Sequence, residues 1–331
     1  MQPASQQPPR RPALQAVVIA GHMPKKRKAG GERNGWRCID VSVGLHALQG
    51  ERPTMEDAHS HCTLTVPPAK LVDGLECSKK WPLHFFGVFD GHGGNQAAEF
   101  VAEELPKQVK ASLNAGLALV PALVTAHMAT EVSWFRSSNF DDSGTTAVSA
   151  LLEAATGRIT VCNVGDSRAF VVPKTGACVA LSTDHDAENK KEAKRMKAAS
   201  NSVWNGTDGD GYINDQVQTS RSIGDFDAKF LVASDGDGDD GAHRYSDAVV
   251  CTPEIAHYLL QPEDLCLVLG CDGLVEPSEG KTTWIGKEVR SLLKAGRSAE
   301  EIASHLAKTA LEMGSGDNIS CMVVIPTAVS S

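Results

Sequence analysis

Apolar positions from residue 36 onward fall into short runs with two different periods. Continuous or alternating apolar runs at 38–48 (CIDVSVGLHAL), 57–66, 83–90 (LHFFGVFD), 145–152, 158–164 (RITVCNV), 168–172, 249–258, 265–271 (LCLVLGC) and 318–325 (NISCMVVI) predict strands. Helical spacing predicts helices over 95–110, 118–136, 187–199 and 284–313, the last broken at Gly296. Early strands follow one another with short breaks and helices come in blocks, which is an α+β order and not strict βαβ alternation. Residues 1–35 lack either period and carry Pro3, Pro8, Pro9 and Pro12, so they read as a flexible tail ahead of one domain over 36–327. Within that domain, 234–247 (SDGDGDDGAHRYSD) reads as a mobile acidic loop. Its Asp-Gly repeats do not make an EF-hand counted from Asp235, because Asp240 stands where the sharp turn needs Gly and Ser246 where Glu is needed.

Composition narrows the classes. The chain has 331 residues, 41% of them hydrophobic and 22% charged, as in ordinary globular proteins. No uninterrupted apolar run approaches the roughly 18 residues of a membrane span. Nine cysteines without a C-x-x-C pair argue for a reduced compartment and against zinc or a disulfide scaffold. Cys162, Cys266, Cys271 and Cys321 lie in apolar runs and read as small core residues.

Charge changes the picture once it is divided. The formal net charge is −9, but residues 1–50 hold eight basic and two acidic side chains, leaving a strongly acidic body. Such a body opposes nucleic acid as the main ligand, and 5% aromatic residues supply few stacking platforms. The tail carries two candidate addresses. Pro24-Lys25-Lys26-Arg27-Lys28 is a basic cluster of the nuclear-import type, with an import receptor as its partner, although such clusters also occur as plain solvated tails. Arg10-Arg11 ahead of the apolar run 13–21 loosely fits a secretory signal; both together would mean export followed by nuclear entry, while neither leaves a cytoplasmic protein.

The informative feature is where acids interrupt apolar strands. Asp90 follows FFGVF and precedes Gly91-His92-Gly93-Gly94; Asp272 follows LCLVLGC; Asp317 lies in GSGDN before a strand-like run; Asp166 lies in NVGDSR between two others. Singly, each such Asp reads as a turn. Four at strand ends read differently, because a buried carboxylate is costly unless paired, hydrogen-bonded or bound to a cation. Hard divalent cations take oxygen ligands and lower the pKa of water. Arg52, Glu56 and Asp57, in ERPTMED, add a guanidinium able to clamp phosphoryl oxygens and two more carboxylates.

RPTMEDAH (52–59), FGVFDGHGG (86–94), DSGTTA (142–147), NVGDSRA (163–169), LSTDH (181–185), TSRSIGD (219–225), LGCDGL (269–274) and GDNISCMVVI (316–325) occur in the order and rough spacing of the metal-dependent type 2C (PPM) protein phosphatases, which the chain resembles from about 40 to 326. The resemblance implies a four-layer α-β-β-α sandwich, two antiparallel sheets flanked by helices, with two Mg²⁺ or Mn²⁺ ions in a cleft and a weaker third. It implies hydrolysis of phosphoserine and phosphothreonine in phosphorylated protein substrates, by a monomer. Asp90 would bridge both metals, Asp272 and Asp317 would complete the first metal's shell, and the Gly91 carbonyl would serve the second metal. Glu56 and Asp57 would hold metal-bound waters, and Asp166 would belong to the third site. A bridging hydroxide would attack phosphorus in line while Arg52 holds the phosphate and His92 protonates the leaving oxygen. The rivals are a pseudophosphatase kept as a binding module and a metal-dependent nuclease. Val275 and Glu276 depart from the family's usual Trp and Asp/Asn, and Ala199-Ser200-Asn201 and Tyr212-Ile213-Asn214-Asp215 depart near the region expected to select substrate.

Overall fold

The computed structural model describes residues 39–66, 82–139, 141–199, 211–213, 216–232, 243–245 and 247–328. The basic tail with Pro24–Lys28 and the 13–21 run lies outside them, as do Ser200, Asn201, Asn214 and Asp215. In chain order the strands are β1 (Ile39–Leu48), β2 (Ala58–Thr65), β3 (Pro82–Phe89), β4 (Gly91–His92), β5 (Gly144–Thr145), β6 (Ala147–Glu153), β7 (Arg158–Val164), β8 (Arg168–Pro173), β9 (Val179–Ala180), β10 (Ile223–Gly224), β11 (Phe230–Val232), β12 (His243–Tyr245), β13 (Glu254–Leu259), β14 (Asp264–Gly270) and β15 (Ile319–Ala328). The helices are α1 (Gln96–Asn114), α2 (Leu119–Ser137), α3 (Lys190–Ala198), α4 (Phe226–Lys229), α5 (Thr283–Lys294) and α6 (Ala299–Glu312).

Two five-stranded antiparallel sheets, ordered β1-β15-β14-β8-β9 and β13-β7-β6-β3-β2, lie face to face. The period of two explains the layering, because alternate side chains of one strand point to opposite faces. On β3, Phe85 and Phe89 pack with Val101 and Leu105 of α1 and Leu123 of α2, while Phe86 and Val88 enter the core between the sheets. On β14, Leu267 and Leu269 enter that same core, and Cys266 and Val268 pack with Ile285 of α5 and Ile302 of α6. The result is the expected α-β-β-α sandwich. Phe85, Phe86 and Phe89 are all fully buried; each such side chain contributes on the order of 2–3 kcal/mol. Among the described residues no helix is long and apolar enough to cross a membrane.

The departures have local causes. The predicted 249–258 strand begins only at Glu254, since Pro253 has no N–H to join the ladder with β7. The predicted 187–199 helix starts at Lys190, where the Asn189 side chain accepts from the Lys191 N–H and caps it. The 284–313 segment is two helices, and the second opens with a capping box between Ser298 and Glu301. Of the 234–247 segment read as a loop, the described part includes His243–Tyr245, which pairs with Phe230–Val232 as an antiparallel strand; the rest, apart from Asp247, lies outside the described residues. A three-stranded sheet, β10-β5-β4, was not expected at all, because strands of two residues are too short to show a period.

Candidate active site

The antiparallel order brings four chain reversals to one end of the sandwich. Asp90 directly follows β3, Asp272 follows Cys271 at the end of β14, Asp166 lies in the β7–β8 turn, and Asp317 stands two residues before β15. The backbone at Asp90 is held by Thr146, whose N–H donates to the Asp90 carbonyl at 2.9 Å and whose hydroxyl accepts from the Asp90 N–H at 3.2 Å. A side chain at Gly91 would place a Cβ 2.3 Å from the Glu56 carbonyl, so only glycine lets these two backbones meet. Asn318 fastens the third piece: its side-chain amide donates to the carbonyls of Gln49 and Thr54, and its Oδ1 accepts from the Glu56 N–H. The 49–57 segment is thereby pinned beside the strand ends.

Carboxylates crowd there. Asp90, Asp166 and Asp272 each present an oxygen within 4.8 Å of the others, and Asp57, Asp90 and the Cys271 sulfur form a second such group. Both Asp57 oxygens and Asp272 Oδ1 are buried without a hydrogen-bond partner of good geometry. Burial, with Asp272 nearby, pushes Asp57 up to about 6 and Asp166 up to about 7. Burial and the neighbouring carboxylates of Asp272, Asp57 and Asp166 hold Asp90 well above the usual range, and burial with Asp317 raises Asp272. Like charges this close resist ionising together unless a cation is supplied. An oxygen-rich cluster with orphaned buried oxygens therefore fits hard divalent cations. Cys271 does not compete as a ligand. Burial, followed by the adjacent carboxylates, raises its thiol far above the normal range, and it donates to the Asn318 carbonyl while accepting from the Ser320 N–H.

A cavity of about 440 Å³ opens over the cluster, lined by Arg52, Asp90, Gly91, His92, Asp166, Asp272 and Asp317 among others. Glu56 and Asp57 are not in that lining. Glu56 instead accepts from the Gly94 N–H at 3.0 Å and the Thr54 hydroxyl at 2.7 Å. Arg52 donates from Nη2 to Asp317 Oδ2 at 2.7 Å and is otherwise open to solvent. His92 Nε2 meets Asp225 Oδ1 at 2.7 Å. Burial pulls the His92 pKa down, but Asp225 and the other acids outweigh it and leave it raised; Asp225 is lowered in turn because His92 offsets its burial.

Several of these neighbours escaped the sequence reading. Asp225 occurred only as the last letter of TSRSIGD, and Asn318 as the third of GDNISC. Both were legible as motif members, but their partners lie 133 and more than 260 residues away. A buried cluster in which Glu192 bonds Arg221 and Arg195 was missed likewise, and it drives Glu192 down to about 2 despite its burial. Among the departures from the family pattern, Val275 is buried against α5 and α6, Tyr212 lines the cavity, and Glu276 is raised by burial and by Asp272.

Comparison with known proteins agrees with this geometry. Residues 41–319 match the family described as protein phosphatase 2C. The chain is 31% identical over 280 residues to "Probable protein phosphatase 2C 22" of Arabidopsis thaliana, covering 83% of this chain and 66% of that one. It is 33% identical over 301 residues to "Probable protein phosphatase 2C member 13, mitochondrial" of Oryza sativa subsp. japonica, covering 89% and 72%. A solved phosphatase from a pathogenic strain of Toxoplasma gondii shares the fold, with a TM-score of 0.64, 21% identity, and coverage of 88% of this chain and 98% of that one. The match over most of the chain, on a sandwich whose strand ends gather these acids, leaves one assignment: the chain belongs to the protein phosphatase 2C family, the metal-dependent serine/threonine protein phosphatases.

Proposed function

We propose that this protein hydrolyses phosphoserine and phosphothreonine in protein substrates with two Mg²⁺ or Mn²⁺ ions, and a weaker third, held by its acidic cluster. The observation that carries the reading is the gathering of Asp90, Asp166, Asp272 and Asp317 around one cavity that Arg52 and His92 also line. Asp90, Asp272, Asp317 and the Gly91 carbonyl would hold the principal ions, Glu56 and Asp57 would bind their waters, and Asp166 with Asp272 would serve the third. Bound divalent cations supply charge neutralisation and a water acidified toward neutral pH.

The remaining work belongs to the chain. Arg52 has one donor engaged by Asp317 and others left for phosphoryl oxygens, and its planar fork suits bidentate recognition. His92, whose pKa Asp225 raises against its burial, holds a proton more tightly than a free imidazole and can deliver it to the departing Ser or Thr oxygen. Tyr212, where this chain departs from the family, lines the cavity beside Gln216–Thr219, so this wall is a natural place for substrate choice.

Release of phosphate from a phosphothreonine peptide, measured with Mn²⁺ or Mg²⁺ and with chelator, tests this. The expected result is cation-dependent turnover that Asp90→Ala and Asp272→Ala each lower by orders of magnitude; cation-independent release equal in wild type and variants would overturn it. We also place the protein in the nucleus on the Pro24–Lys28 cluster. A fluorescent fusion lacking residues 24–28 should leave the nucleus, and an unchanged distribution would reject that address.

A further inference from the structure

The smallest sheet sets two groups side by side. His92 on β4 lies opposite Gly144 on β5, and Gly144 lies opposite Gly224 on β10. Asp225 comes next in the chain and reaches His92 Nε2 with its Oδ1 at 2.7 Å. A Cβ on Gly144 would stand 2.2 Å from that Oδ1, so glycine there keeps the path between the two side chains open. Asp225 has φ 50, in the left-handed region, and the residues around it hold it there.

The surroundings do so from α2. Glu131 Oε2 accepts from the Gly224 N–H at 2.9 Å, and its Oε1 accepts from Lys229 Nζ at 2.5 Å. Lys229, wholly buried, also donates from Nζ to the Ser222 carbonyl at 3.0 Å and from its backbone N–H to the Asp225 carbonyl at 3.1 Å. The backbone is thus held on both sides of Asp225.

A second histidine–carboxylate pair shows what is special here. His185 is 1% exposed, and both its nitrogens are used by the protein, Nε2 with Glu254 and Nδ1 accepting from the Gly165 N–H. The His92 side chain is 37% exposed and lines the cavity, while its partner Asp225 is 4% exposed. Among the described residues Nδ1 of His92 has no hydrogen-bond partner. One nitrogen is tied to the scaffold and the other is left for a ligand.

We propose that Asp225 is the positioning residue of His92: its carboxylate accepts the Nε2–H, fixes the ring and its tautomer, and leaves Nδ1 to carry the proton delivered to the departing Ser or Thr oxygen, with the Glu131–Lys229 pair holding Asp225 in place. This rests on the acid role proposed above for His92. In the step, a water oxygen forms a new bond to phosphorus as the P–O bond to Ser or Thr breaks, its electron pair going to the departing oxygen. The Nδ1–H bond breaks as the new O–H bond forms. Nε2 keeps its hydrogen on Asp225, and the ring ends neutral. The logic is that of a carboxylate orienting an imidazole in a hydrolase triad.

Asp225→Asn in the full chain, assayed with Mn²⁺, tests it. The amide keeps the shape but can pair with either tautomer. Turnover of a phosphothreonine peptide should fall about tenfold to a hundredfold, while p-nitrophenyl phosphate, whose leaving group needs no proton, should change less than about threefold. Equal losses on both substrates, or none on either, would overturn the proposal. Nitrogen-15 spectra of the His92 ring in the cation-free protein give an independent reading. The neutral wild-type ring should carry its hydrogen on Nε2 and the variant should show mixed tautomers; a wild-type hydrogen on Nδ1 would overturn the proposal even if activity agreed. His92→Ala separates the two readings. If it shows no preference for the good leaving group, the acid role fails, and the spectra still decide the positioning.

Discussion

Single residues at strand ends set the electrostatics of this protein. Asp57 and Asp166 titrate near 6 and 7, against an ordinary 3.8, chiefly because they are buried. With their folded values raised, the folded state binds more protons than the unfolded chain between about pH 4 and 7. Their stabilising effect is complete below 3.8 and disappears as pH rises through the folded values. Cation-free protein should therefore melt at a lower temperature at pH 7.5 than at pH 5. Asp166→Asn should flatten that slope and raise the pH 7.5 midpoint by a few degrees, which thermal unfolding in chelator would read. A midpoint that rises with pH in the cation-free wild type would contradict the assignment. The positions of Asp90, Asp166, Asp272 and Asp317 were legible because carboxylates rarely interrupt buried strands without cause. Asp225 was legible only as a member of TSRSIGD, since its role depends on a histidine 133 residues earlier.

At the scale of elements, long strands were readable and short ones were not. The predicted 158–164 strand is observed over those same residues, because a buried run of that length has few other ways to satisfy its backbone. The β10-β5-β4 sheet left no periodic trace, yet it carries His92 and leads directly into Asp225. Its anchor to α2 is the buried Glu131–Lys229 pair. Removing one member of such a pair leaves the other charge in a poor environment, so Glu131→Gln should cost about 3 kcal/mol in urea unfolding. Lys229→Met combined with Glu131→Leu should cost less than the sum of the two single changes by more than about 1 kcal/mol, the signature of direct coupling. Additive losses would mean that the pair does not act as a unit. The late start of the predicted 249–258 strand shows the opposite case, in which a visible Pro253 was outvoted by apolar residues around it.

For the whole molecule, the two sheets act as a frame that holds mutually repelling carboxylates until a cation joins them. A ligand that binds only the folded state adds stability by mass action, about 2.7 kcal/mol at a hundredfold excess over its dissociation constant. Mn²⁺ or Mg²⁺ should raise the unfolding temperature of the wild type, and Asp90→Ala or Asp272→Ala should abolish the rise; differential scanning fluorimetry at several cation concentrations would measure both. The sequence by itself determined an α+β order, because the two periods mark each kind of element along the chain; the layered sandwich followed from the family that its motifs resemble. It also determined which acids stand at strand ends, because their neighbours along the chain supply the contrast. Only the tertiary structure decided which of those acids share a cavity, that Glu56 and Asp57 are not in its lining, and that Asp225, Glu131 and Lys229 are linked to His92. Such contacts join residues far apart in the chain, and no local pattern of side chains records a distance across a fold.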